Sequence, residues 1–353
     1  VIYLKHDGRK EKEMKKLRLF VLGFGNAGKA FTRLLISKQE EIEKAFKTQV
    51  KVTGIMTLSR GSIYEPLGID LSLALNEIEK NGVFSKPNIH MDARKALEML
   101  EYDALIELTP LNPENGRPAI DHVKTALMEG KHVITANKGP AAFSYKELKA
   151  LADEKGVRFL CETAVMDGTP VFNLVEKTLL MSEVTGFRGI LNSTTNFILD
   201  EMGKGREYGD ILKEGTEKGF IERDPKMDVE GFDAAFKTAV LINVLMDGNV
   251  TPLQIEREGI ENITEEDISK ASMENKKLKL VSRGERRDGT VKGKVSVEKV
   301  PADDIFYNIE GTSSVLSVTT DLMKTISIIE HEPLIEQTAY GPFSDLLRII
   351  TNT

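Results

Sequence analysis

Between Glu222 and Lys237 the chain reads E-R-D-P-K-M-D-V-E-G-F-D-A-A-F-K, which sets Glu222, Asp224, Asp228 and Asp233 close together. Asp233 and Lys237 are four residues apart, the spacing that brings two side chains together on one helical face. Phe232, Phe236 and Val240 form an adjoining apolar ridge on the same helix, so the charged pair borders a core. Such a pair can bind a small zwitterion or move a proton. Taken alone, the stretch also fits a solvated acidic loop followed by an ordinary surface ion pair. It does not fit a calcium loop: with Gly231 as the loop glycine, lysines 226 and 237 would fall at the first and last ligand positions.

A second group of residues gives the pair a setting. The apolar run Leu17–Leu22 leads directly into Gly23-Phe24-Gly25-Asn26-Ala27-Gly28, a G-x-G-x-x-G between a strand and a helix opening at about Lys29. The first glycine permits a tight turn, the second lets the backbone approach a pyrophosphate, and the third lets helix and strand pack closely. Gly23 to Lys29 also satisfies most of a mononucleotide loop, but the next residue is Ala30, which has no hydroxyl for magnesium. A dinucleotide is therefore the expected ligand. The next strand, Val50–Met56, ends in Thr57-Leu58-Ser59-Arg60, with Ser59 and Arg60 where many NAD sites carry an acidic residue. Arginine holds a 2′-phosphate through paired hydrogen bonds, so NADP is expected over NAD.

The elements that must position these residues follow from periodicity. Helices at Asp70–Lys80, Ala93–Leu100 and Ala119–Met128 alternate with strands Ala104–Leu108, His132–Thr135 and Val157–Cys161. This alternation specifies an α/β fold, a Rossmann-type doubly wound parallel sheet, with Thr109 and Asn137-Lys138 converging on Gly23 at the carboxyl ends of the strands. Beyond Glu162 the pattern becomes α+β, with a strand near Gly186–Leu191, a long helix from Asp228 to Met246, and a hairpin turning at Arg287-Asp288-Gly289. The expected division is an N-terminal tail (1–16), a dinucleotide-binding domain (17–160), a substrate and dimerisation domain (161–335), and a segment returning to the first domain (336–353).

Composition narrows the classes. The 353 residues are 41% hydrophobic, enough for a real core, and the formal charge of −7 argues against nucleic-acid binding. The basic cluster from Lys10 to Arg18 reads as a solvated tail, with Met14 an alternative start. The single cysteine, Cys161, excludes an internal disulfide and suits a reducing cytoplasm. No apolar run reaches the length of a membrane span, and the five histidines lack metal-ligand spacing.

Taken in order, the motifs resemble those of homoserine dehydrogenase from Leu17 onward. The matching blocks are G-F-G-N-A-G at 23–28, T-A-N-K at 135–138, E-T-A-V-M-D-G-T-P at 162–170, G-I-L-N-S-T-T-N-F-I-L at 189–199, the Glu222–Lys237 stretch, and Q-T-A-Y-G-P-F-S-D at 337–345. The resemblance implies reversible NAD(P)H-dependent reduction of L-aspartate 4-semialdehyde to L-homoserine, on the route to threonine and methionine, by a homodimer. It marks Lys237 and Lys138 as alternative proton donors, Asp233 as the partner orienting Lys237, and Glu222 and Asp228 as substrate ligands. Burial is expected to lower the pKa of Lys237. It also implies a monovalent cation, usually sodium, on backbone carbonyls of Glu162, Val165, Asp167 and Thr169. Asn192–Asn196 would shape the pocket. Two departures stand out: Glu332-Pro333-Leu334-Ile335-Glu336 replaces a glycine-rich turn, which bears on the nicotinamide contacts, and the end at Thr353 leaves no room for a C-terminal regulatory module.

Two rivals remain at this level. Another semialdehyde dehydrogenase would need a nucleophilic cysteine, for which Cys161 is the one candidate, and it lies on a strand. A dinucleotide-binding regulator without turnover would have no use for Asp233 or Lys237.

Overall fold

The computed structural model describes residues 14–222 and 224–353, and they form two compact units. The first unit comprises residues up to Pro140, Glu147–Thr163 and Ile335–Thr353. Its sheet begins with β1 (Lys15–Leu22), followed by α1 (Asn26–Phe46), β2 (Thr48–Met56), β3 (Ile63–Tyr64), α2 (Leu71–Asn81), α3 (Ala93–Met99), β4 (Ala104–Glu107), α4 (Ala119–Met128), β5 (His132–Thr135), α5 (Lys138–Lys155) and β6 (Phe159–Leu160). The strand order is β3-β2-β1-β4-β5-β6. All neighbours run parallel except β3, a short antiparallel edge on β2. This is the doubly wound arrangement expected from the alternating pattern. β1 begins at Lys15, inside the segment read as a tail, because Lys15 and Lys16 pair with Thr48 and Gln49. Residues 1–13 of that tail lie outside the described residues. β6 is shorter than the expected Val157–Cys161 strand, and Cys161 lies beyond its end, buried.

The second unit comprises Ala141–Lys146 and Ala164–Leu334. Its elements are α6 (Val171–Thr178), β7 (Val184–Ile190), α7 (Ser193–Gly203), α8 (Tyr208–Glu217), α9 (Lys226–Val229), α10 (Phe232–Leu245), β8 (Glu256–Arg257), α11 (Glu265–Met273), β9 (Lys276–Arg287), β10 (Thr290–Pro301), β11 (Ser314–Thr320) and β12 (Lys324–Glu330). They build a sheet in the order β12-β11-β7-β9-β10-β8. The β9–β10 hairpin turns on Asp288 and Gly289, both at positive φ (50° and 75°), as a two-residue turn requires. α10 lies against β9 and β10, and the absence of a side chain at Gly293 allows this: a Cβ there would come within 2.8 Å of Ile242 Cδ1. The chain then returns to the first unit through α12 (Ile335–Thr351), which packs on α1 and sends Phe343 and Leu346 into the core with Leu19, Val21, Phe31 and Leu35.

The helix expected from Asp228 to Met246 is broken. Gly231 sits at φ 74° between α9 and α10, so Asp228 and Asp233 stand on separate helices. A left-handed residue cannot continue an α-helix, and it lets the chain change direction before Phe232. A Cβ at Gly231 would also meet the Glu258 carbonyl oxygen at 3.1 Å. Gly231→Ala is expected to destabilise the protein by about 1–2 kcal/mol, the usual cost of a left-handed L-residue. Urea denaturation checks this, and an unchanged midpoint would show that the turn tolerates a side chain.

Candidate functional site

In the first unit, the carboxyl ends of β1, β4 and β5 carry the predicted nucleotide residues. Gly23 has φ 91°, and a Cβ there would lie 2.4 Å from the Leu108 carbonyl oxygen. At Gly28 it would lie 2.7 Å from the Gly23 oxygen. Neither position accepts a side chain. Gly25 is different: nothing lies within 4 Å of a Cβ built there, so the backbone faces open space. α1 starts at Asn26 rather than near Lys29, with Gly25 as its N-cap and no side chain satisfying its first amides. Two glycines closing the turn, one keeping its approach open, and free helix amides beside it fit a pyrophosphate.

Asn26 is exposed and Ala27 half-buried at the start of α1, and Ser59 is exposed in the loop after β2. Arg60 turns back toward the glycine loop, with Nη1 donating to the Phe24 carbonyl at 3.4 Å and its amide bound to Thr57 Oγ1 at 2.9 Å. Asn137 caps α5 by accepting from Gly139 N at 2.9 Å, while its Nδ2 donates to the carbonyls of Thr109 (2.9 Å) and Pro110 (3.2 Å). Thr109 is thereby tied to the Asn137 loop. Lys138 opens α5 at the same edge.

One residue there escaped the sequence reading. Glu107, the last residue of β4, is fully buried and hydrogen-bonded to Thr109 and Thr135. Burial pushes its carboxyl up to about 7 against the hydrogen bonds from those threonines, which favour the charged form. The available signal is a carboxylate inside the otherwise apolar run Ala104–Leu108.

In the second unit, α7, α9 and α10 bring Asp228, Asp233 and Lys237 together. Lys237 Nζ lies 3.1 Å from Asp233 Oδ2 and donates to the Leu191 carbonyl at 2.5 Å; the two side chains are only 17% and 15% exposed. Asn192, the N-cap of α7, joins the carboxylates: its Nδ2 donates to Asp228 Oδ1 at 2.6 Å and to Asp233 Oδ2 at 3.0 Å. Its Oδ1 accepts from Thr195 N at 2.9 Å, which fixes the orientation of the amide. Burial, and then the Asp233 charge, raise the carboxyl pKa of Asp228. For Lys237, burial pulls the pKa down, but Asp233, Asp167 and Asp228 together outweigh it and the net direction is up. This corrects the expected lowering: the lysine is buried among carboxylates rather than in apolar surroundings.

Glu222 is exposed ahead of α9, and among the described residues no hydrogen bond joins it to the Asn192 network. Glu330, at the end of β12, was not foreseen: burial and then Asp167 push its carboxyl up to about 7, opposed by a hydrogen bond from Thr169 and the charge of Lys237. Of the residues implied for a cation, Glu162 belongs to the first unit and Val165, Asp167 and Thr169 to the second. Met166 and Asp167 are consecutive residues at positive φ (54° and 50°), a strained pairing of the kind that gathers at functional sites.

A doubly wound sheet whose glycine turn suits a pyrophosphate, and an α+β unit with a lysine among carboxylates, fit a dinucleotide-dependent oxidoreductase. Residues 23–162 match the family model described as "Homoserine dehydrogenase, NAD binding domain", and residues 170–347 match "Homoserine dehydrogenase". The chain is 35% identical to the homoserine dehydrogenase of Methanocaldococcus jannaschii, over 95% of this chain and 99% of that one. It is 32% identical to an NAD(+)-dependent homoserine dehydrogenase of Pseudomonas canavaninivorans, over 95% and 97%. Its fold matches a hyperthermophilic archaeal homoserine dehydrogenase in complex with NADPH at a TM-score of 0.81, with 26% identity and 96% and 98% of the two chains covered. The chain belongs to the homoserine dehydrogenase family, whose members are NAD(P)-dependent oxidoreductases. Among the described residues no helix is long and apolar enough to cross a membrane.

The buried acid of the first unit has a pH consequence. A carboxyl raised from an ordinary 4.5 to about 7 in the folded state binds its proton more tightly there than in the unfolded chain. Its stabilising contribution is therefore full below about pH 4.5 and is lost as pH rises through about 7. Relative to Glu107→Gln, the native protein should lose thermal stability across that window and change little above it. Calorimetric Tm values that run parallel for the two proteins would show that Glu107 binds its proton equally in the folded and unfolded chains, so that burial does not raise its pKa.

Proposed function

We propose that Lys237 delivers the proton in the reduction of L-aspartate 4-semialdehyde to L-homoserine, with Asp233 holding its ammonium group in place. The observation that carries this is the 3.1 Å Lys237–Asp233 contact, locked to Asp228 through Asn192. As the aldehyde carbon is reduced, negative charge grows on its oxygen, and a donor that stays protonated at neutral pH meets that need. The raised pKa of Lys237 keeps it protonated. Glu222 and Asp228 supply negative charge for the substrate's ammonium group. Lys138 is the second lysine of the reaction, at the edge that carries the nucleotide residues.

Gly23, Gly25, Asn26, Ala27 and Gly28 hold the pyrophosphate of the nicotinamide cofactor, and Thr109, Asn137 and Lys138 bound its nicotinamide half. When bound, the cofactor supplies the hydride of the reduction. Homoserine-dependent absorbance at 340 nm should fall roughly 100- to 10,000-fold in Lys237→Ala and strongly in Asp233→Asn, the range for a lost general acid. Circular dichroism must show both variants folded. Retained turnover in a folded Lys237→Ala variant would move the donor role to Lys138.

Arg60 supports NADP as the preferred cofactor, since its guanidinium lies beside the glycine loop and the preceding residues bring no carboxylate. Relatives do not decide the matter: one is NAD(+)-dependent and another holds NADPH. NADPH should bind more tightly than NADH, and Arg60→Ala should abolish the difference; equal dissociation constants in the native protein would refute the preference.

A monovalent cation on the backbone of Glu162, Val165, Asp167 and Thr169 is supported by the paired left-handed residues 166 and 167. Exchange of sodium and potassium for choline should then lower activity, and a rate indifferent to the exchange would remove the ion from the scheme.

A further inference from the structure

The carboxylate of Glu107 sits where an apolar strand reaches the ligand edge of the sheet, and the proposed chemistry makes no use of it. It is 0% exposed, and burying an acid in a strand is costly unless its oxygens are met. They are met from both sides. Oε1 accepts from the Thr109 amide at 3.1 Å and from the Thr109 hydroxyl, while Oε2 accepts from Thr135 Oγ1 at 2.9 Å. The Thr135 hydroxyl in turn accepts from the Asn137 amide at 3.0 Å, and Asn137 Nδ2 returns to the carbonyls of Thr109 and Pro110.

These bonds form a closed circuit. It runs from Glu107 to Thr109, across to Asn137, and back through Thr135 to Glu107. The side chains of Glu107, Thr135 and Asn137 reach between the segment leaving β4 and the segment leaving β5, which begin at neighbouring positions because Glu107 pairs with Thr135. Ionised, a carboxylate of this length accepts from both segments at once without offering a competing donor. An amide would turn an N–H2 group toward one of the threonines, and a hydroxyl would reach one segment only.

We infer that Glu107 is a positioning residue for the cofactor, setting the separation of the Thr109 and Asn137–Lys138 segments and thereby the affinity for the nicotinamide half of the dinucleotide. This rests on the proposed assignment of Thr109, Asn137 and Lys138 to that half. The adenosine half depends on the glycine loop and Arg60; Gly23 packs against Leu108 and Thr109, but among the described residues none of the circuit's hydrogen bonds runs to the loop or to Arg60.

Fluorescence titration of two ligands separates these roles. One is the tighter of NADPH and NADH; the other is ADP-ribose, carrying the 2′-phosphate if NADPH is the tighter. Glu107→Gln should weaken the full dinucleotide about tenfold or more and leave the ADP-ribose ligand within about twofold, with Glu107→Asp intermediate. Thr135→Val, which removes one link and keeps the acid, should shift in the same direction and serves if Glu107→Gln fails to fold. Unchanged dinucleotide affinity in these variants, or equal weakening of both ligands, would overturn the inference, the second outcome marking a general structural role. Asn137→Ala tests the underlying assignment: if it leaves dinucleotide affinity unchanged, the β5 segment does not meet the cofactor and both readings fall.

Discussion

Burial beside a protein core works against a lysine's charge, and at Lys237 the carboxylates around it more than offset that cost. Lys237 projects from the second turn of α10, where Phe236 and Val240 are buried. Its ammonium group meets Asp233 on the same helix and the Leu191 carbonyl just ahead of α7, with Asp167 and Asp228 contributing at longer range. Carboxylates gathered in this way repel one another, and the amide of Asn192 offsets that repulsion by donating to two of them. A charged donor in its place would compete with Lys237 for the same oxygens. A neutral amide joins them and leaves the lysine as the cation.

The first unit solves the opposite problem, since it must present backbone rather than side chains. Gly23 and Gly28 are forced by contacts of 2.4 Å and 2.7 Å that any Cβ would make, whereas Gly25 is open. The three glycines of one motif therefore do different work: two close the turn and one leaves room. The same economy holds at β4 and β5, where hydrogen-bonding side chains from Glu107, Thr135 and Asn137 fix loops that would otherwise depend on their own stiffness.

Much of this was legible in the sequence. The alternation of apolar strands and amphipathic helices specified the doubly wound sheet, and the helix from Ala119 to Met128 and the strand from His132 to Thr135 have the bounds that periodicity predicts. The i,i+4 spacing of Asp233 and Lys237 became a real contact. What periodicity could not reveal was any event set by tertiary contact. The break at Gly231 depends on a positive φ that one glycine permits and does not announce. The raised pKa of Lys237 depends on Asp233 first, then on Asp167, remote in sequence, and on Asp228 across the helix break; burial alone would have given the opposite sign.

Glu107 and Glu330 show the same limit from the other side. Each ends a strand whose pattern explains the strand and not the acid, and each has its carboxyl pushed up to about 7. Their surroundings nevertheless differ in kind. Glu107 answers to hydroxyl and amide donors, so its oxygens order neighbouring backbone. Glu330 answers to Asp167 on one hand and Lys237 on the other, so its protonation is tied to the charge balance of the lysine's own cluster. Two acids with the same displaced pKa can therefore serve geometry in one unit and electrostatics in the other, and the partners decide which.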